Sequence, residues 1–163
     1  MKRLLKYSLF IQLILALYFQ LIFWVRLGNL NAQPNFTPVY KLLIEGNLSI
    51  EDLGFLILFI IPVLVFSIGY TKNKYWLMIL SMIFYLVWLI LQLTTWWVPY
   101  ILGASDNWYE VYSRTFSNAN KILPGWGRHL APDTMHLIIQ VLLLIIIYLF
   151  VKASLKHLLR LDS

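Results

Sequence analysis

The stretch YWLMILSMIFYLVWLILQLTTWW, residues 75–97, contains no Asp, Glu, Lys or Arg. A helix of that length is roughly 35 Å long, enough to cross a hydrocarbon core of about 30 Å. Lys72 and Lys74 precede it, and Pro99-Tyr100 follow. Its closing Thr94-Thr95-Trp96-Trp97 sets aromatic rings where hydrocarbon meets headgroups, which makes the cluster a membrane boundary first and a binding site second.

Three further runs have the same character: residues 8–25, 53–70 and 135–151. Across all 163 residues, 61% are apolar and 12% charged, whereas a soluble domain has about half and about a quarter. A domain this small still exposes about a third of its surface, so a bilayer is the natural solvent for the excess. The first run is longer than the roughly 7–15 apolar residues of a secretory leader, and Ala32 lacks an A-x-A cleavage pattern, so the segment is expected to be retained. The second begins after Ser49-Ile50-Glu51-Asp52, a capping box, and carries Pro62, which frees the Leu58 carbonyl and should kink the helix. The fourth can continue past Lys152, whose ammonium reaches for the interface. Lys152, Lys156 and Arg160 then recur every four residues opposite Leu155, Leu158 and Leu159, which predicts an amphipathic tail over 152–163 on the inner leaflet.

Charge assigns the sides. The N-terminus, the 71–74 turn and the tail hold eight basic residues against Asp162 alone, a net +7. The two long connections, 26–52 and 98–134, hold five basic residues against six acidic ones, a net −1. Because positive charge stays inside, both termini are expected to be cytoplasmic. The predicted fold is all-α: one membrane domain forming a four-helix transmembrane bundle, N-in/C-in, with short amphipathic helices in the two extracytoplasmic loops. A bacterial cytoplasmic membrane is the expected location. The net charge of +6 is then directed at anionic headgroups rather than nucleic acid.

In the first outer loop, Thr37-Pro38 and Gly46 bracket a short helix over 39–45. Asn35-Phe36-Thr37 and Asn47-Leu48-Ser49 match the glycosylation pattern and are read as chance. In the second, Ser105, Asp106 or Asn107 can cap a helix on which Trp108, Tyr112 and Phe116 repeat every four residues. Such a face either lies among headgroups or roofs the bundle, and it can also anchor a partner. Pro124-Gly125 marks a turn, Gly127 permits close backbone approach, and Asp133 stands where a carboxylate favours the start of the fourth helix.

Several activities are disfavoured. The absence of cysteine excludes disulfides and thiolate chemistry. No span interior carries Asp, Glu, Lys or Arg, and intramembrane charges of that kind mark pumps and proton-coupled transporters. No phosphate-binding loop, G-x-S-x-G or H-E-x-x-H is present. The expected function is therefore non-catalytic: a small membrane subunit or accessory protein holding a protein partner, a lipid or a small ligand through its outer aromatic loop, or pairing with its own copies. The expected contacts are Trp108, Tyr112, Phe116 and Trp126, with Arg114 and Arg128 as polar partners. No cofactor is expected. One alternative is a metal enzyme using His129, Asp133 and His136 for zinc, since a catalytic zinc takes three such ligands. The other is an oligomeric channel or transporter lined by Gln12, Gln20, Gln92 and Gln140, although such rows more simply hold helices together.

Overall fold

Long runs of Leu, Ile and Phe placed in hydrocarbon must satisfy every backbone N–H and C=O internally, and a helix does so within one segment. In the computed structural model, which describes residues 2–25, 28, 50–116 and 118–161, the chain is helical and holds no strand among the described residues. Helix α1 spans Lys2–Trp24, α2 Ile50–Thr71 and α3 Tyr75–Gln92. A π turn, Leu93–Trp97, leads directly into α4, Val98–Leu102. Then come α5, Asp106–Thr115, and α6, Thr134–Leu161. The helix and glycosylation patterns expected between residues 35 and 49, with Ser49 of the capping box, lie outside the described residues.

Three described stretches are long and apolar enough to cross a membrane: Lys2–Ile22, Tyr75–Leu102 and Thr134–Lys156. Within α2, Ile57–Thr71 forms a shorter apolar helix. Several boundaries differ from the sequence reading. Helix α1 already begins at Lys2, because Lys and Arg are good helix formers and Arg3 donates to the Tyr7 hydroxyl one turn on (3.0 Å). The helical path does not stop at Trp97. Pro99 has no N–H to give and its ring crowds the carbonyl four residues back. The π turn absorbs this: the Val98 N–H reaches back five residues to the Leu93 carbonyl, and the helix runs on to Leu102. The tail residues through Leu161 continue the same helix. Helix α6 continues through Lys152, whose ammonium donates to the Tyr148 hydroxyl (3.1 Å).

Helix α1 packs against α2 and α6, and α3 packs against the same two, so the four long helices close a ring. Its centre is aromatic. The Trp88 ring lies 4.4 Å from Phe59 and meets Phe19 edge-on at 5.7 Å, joining α1, α2 and α3. Nearer the other end, Phe150 of α6 meets Phe66 and stacks on Tyr75. The polarity is the reverse of a soluble protein's. Ser8, Gln12, Ser81 and Gln140 are buried, while Leu17 (70% exposed), Ile57, Ile83 and Leu144 face outward. Between helices in lipid, packing and hydrogen bonds replace the hydrophobic effect. One such bond runs from the Ser81 hydroxyl to the Pro62 carbonyl (2.8 Å), four residues beyond the carbonyl that the proline was expected to leave open.

The α2–α3 turn is tight. The Lys74 N–H donates to the Gly69 carbonyl at 2.8 Å, and Asn73 takes a positive φ of 52°. A Cβ on Gly69 would stand 2.9 Å from Met78 Cγ and 3.0 Å from the Lys74 carbonyl oxygen. Gly69→Ala should therefore force α2 and α3 apart, costing about 1–3 kcal/mol. Thermal unfolding in detergent should show a lower midpoint than for Gly54→Ala, where a Cβ meets nothing within 4 Å.

Candidate functional site: an aromatic roof over the helix ends

The segment between α4 and α6 folds back over the ends of the long helices. Ser105 caps α5 by accepting from the Trp108 N–H (3.4 Å), which sets Trp108, Tyr112 and Phe116 along one face. All three turn toward Trp96, which is only 3% exposed. Trp96 thus lies at the centre of the roof. The π turn adds a residue to the helical register and swings Trp96 and Trp97 inward. Trp97 Nε1 donates to the side-chain oxygen of Gln140 (2.7 Å), which fastens α6 to the same turn.

Asp133 lies under this roof at 1% exposure. Its Oδ1 accepts from the His136 backbone N–H (2.9 Å), capping α6. The His136 Nδ1 donates to the same carboxylate, 2.8 Å from either oxygen. This holds the ring against Trp96, with centroids 3.9 Å apart and planes tilted by 33°, and leaves Nε2 as its uncommitted nitrogen. Tyr112 completes the closure by donating to the Ala131 carbonyl (2.7 Å). Its phenol is pushed up to about 12 by burial, with the Asp133 charge adding to the effect. Lys121 sits over the Tyr112 ring, 4.9 Å from its centroid.

His129 belongs to a different part of the roof. Residues 126–129 form a tight turn in which Trp126 and His129 exchange backbone bonds and Gly127 takes a φ of 54°. The His129 ring stacks on Trp126, and its Nδ1 lies 2.9 Å from the Tyr100 carbonyl oxygen. The expected trio is therefore split: Asp133 and His136 form a pair, and His129 is committed elsewhere. Among the described residues no group of three His, Cys, Asp or Glu is placed to hold a metal ion.

Of the six expected contacts, Tyr112 and Phe116 are buried within the roof and Trp108 is half-buried. Trp126 is 55% exposed. Arg114 pairs with Glu110 on the open face of α5, and Arg128 pairs with Asp106 (2.6 Å). Exposed pairs of this kind contribute about 0–1 kcal/mol and can be exchanged for another anion. Trp126 and His129 border a cavity of about 300 Å³ that also touches Tyr109, Tyr112, Lys121 and Leu130. The glutamine rows are turned into the bundle. Gln12 donates to the Ser8 hydroxyl (3.3 Å), and Gln20 is half-buried. Gln12 Oε1, Gln92 Oε1 and Gln140 Nε2 are buried without a hydrogen-bond partner among the described residues. Comparison of the chain with models of protein families, with curated proteins and with solved structures finds no match.

The Asp133–His136 pair should bear on stability far more than an ordinary cap. Asp133→Ala leaves a part-buried N–H and a part-buried ring nitrogen without an acceptor, a loss of about 1–3 kcal/mol beyond the roughly 1 kcal/mol of a lost cap. Ser105→Ala removes a cap alone. Thermal unfolding followed by tryptophan fluorescence should rank Asp133→Ala well below Ser105→Ala.

Proposed function

We propose that the chain crosses the membrane four times, with both termini in the cytoplasm, and that its extracytoplasmic roof holds a partner protein or small ligand. The protein is then a non-catalytic subunit or accessory factor of a bacterial cytoplasmic membrane. The fourth crossing is α2, whose 22 residues reach about 33 Å at 1.5 Å per residue. The sidedness rests on the basic residues gathered at one end: Lys2, Arg3, Lys6, Lys72, Lys74 and Lys152.

The observation that carries the binding role is the division of the roof. Its inner half, built on Trp96, Tyr112 and Phe116, is buried and structural. Its outer half shows solvent an exposed Trp126 and Ile122 beside the 300 Å³ cavity. Aromatic side chains next to a concavity are the groups that anchor interfaces. Tyr109, Trp126 and Lys121 are the contacts on this reading, and Arg114 and Arg128 are polar partners available by exchange of their exposed ion pairs.

The natural lack of cysteine makes the sidedness simple to test. A single cysteine at Ser113 should react with an impermeant maleimide from outside the cell, and one at Asn73 only after the membrane is opened. Equal labelling of both in intact cells removes the topology. Binding is tested on a companion chain copurified from the native membrane. Trp126→Ala and Tyr109→Ala should weaken its retention by about tenfold each, the usual scale of an anchor worth more than 1 kcal/mol, with an unchanged thermal midpoint. Undiminished retention in both variants removes the roof as the binding surface.

A further inference from the structure

The opposite end of the bundle, where the chain turns between α2 and α3, holds a second cavity of about 340 Å³. It lies between Lys2 and Leu5 of α1, Tyr70 of α2, Asn73 of the turn, and Tyr75 and Met78 of α3. We propose that this cavity binds the phosphate headgroup of an anionic lipid from the adjoining leaflet.

Charge, depth and lining each support this ligand. Lys2 lines the cavity, and Lys72 and Lys74 flank it on the turn. No carboxylate is paired with any of the three among the described residues, whose ion pairs Arg114–Glu110, Arg128–Asp106 and His136–Asp133 all belong to the roof. The rim therefore presents positive charge that nothing in the described protein neutralises. An anionic leaflet attracts such a cluster.

Depth follows from the neighbouring side chains. Trp76, in the first turn of α3, is 63% exposed, and Tyr7 is exposed on α1. Outward-facing Trp and Tyr beside a basic helix end mark the headgroup layer, so the cavity opens where lipid phosphates lie. Its floor decides between a lipid and a free ion. Leu5 and Met78 are buried, apolar and of no use to a hydrated phosphate, but they suit the glycerol and first methylenes behind a headgroup. Tyr70 and Asn73 supply hydrogen-bond donors at the rim. A volume near 340 Å³ falls at the lower end of ligand sites, as one headgroup requires.

Native mass spectrometry of the full chain, released from micelles holding equal phosphatidylglycerol and phosphatidylcholine, tests the assignment. The wild type should retain one phosphatidylglycerol per chain in preference to phosphatidylcholine. Lys2→Glu, a change at an exposed position, should lower that retention by about tenfold. Lys2→Arg should keep it. So should Lys152→Glu, which alters a basic residue of α6 outside the cavity. Excess inorganic phosphate should leave the lipid bound. Equal retention of both lipids, unchanged retention in Lys2→Glu, or displacement by inorganic phosphate would overturn the proposal. The measurement is made in micelles and reads the cavity itself, so its outcome is independent of the sidedness and partner binding proposed above.

Discussion

The buried carboxylate of Asp133 is the joint on which the upper half of the protein depends. It caps the start of α6, where backbone N–H groups would otherwise lack acceptors, and it holds the His136 imidazole in one orientation. That orientation sets the imidazole against Trp96, the two ring planes tilted by 33°. Trp96 in turn is the floor for Trp108, Tyr112 and Phe116. A single acidic residue thus connects the start of one long helix, the end of another and the segment that closes over both. A buried acceptor is effective here because the low polarity of its surroundings strengthens each bond it makes and makes an unmade one costly.

Below this joint the protein obeys the constraints of a lipid solvent. Its polar side chains point inward, where Ser81 finds the Pro62 carbonyl and Gln140 finds Trp97. Its large aliphatic side chains point outward. Helices so covered gain little from hiding apolar surface from one another, so the contacts that hold them are specific: the Phe19–Phe59–Trp88 group, the Gly69 turn, and the short list of interhelical hydrogen bonds. The two ends differ in character. One is closed by an aromatic roof that carries Asp106, Glu110 and Asp133, and the other is open, cationic and indented.

Much of the roof was legible in the sequence as a pattern and not as an arrangement. The four-residue spacing of Trp108, Tyr112 and Phe116 announces a helix with one aromatic face, and Ser105 does cap it. The spacing is silent on which way the face turns, and it turns inward, so two of the expected surface contacts became core. Asp133 was readable as a helix-start residue, and its partnership with His136 follows from their separation of three, which puts both on one face. His129 could not be placed in this way. It sits beyond Pro132 and a turn at Gly127, where no helical or strand period relates one side chain to the next, and its ring was drawn to Trp126 and the Tyr100 carbonyl. The Trp96-Trp97 pair was the least readable feature, because its direction depends on a one-residue change of register at the π turn.

By itself, the sequence determined the helical class, the lipid-facing character of the long segments and the gathering of positive charge at one end. These follow from composition and from periods that are local along the chain: apolar length against bilayer thickness, four-residue spacing, and the identity of flanking residues. Only the tertiary structure decided which side chains are surface and which are support, that the histidines belong to separate groups, and that two cavities open at opposite ends of the bundle. Those outcomes depend on how segments far apart in the chain meet. The meeting is set by packing and by the need of each buried polar group for a partner, and neither is encoded at any one position.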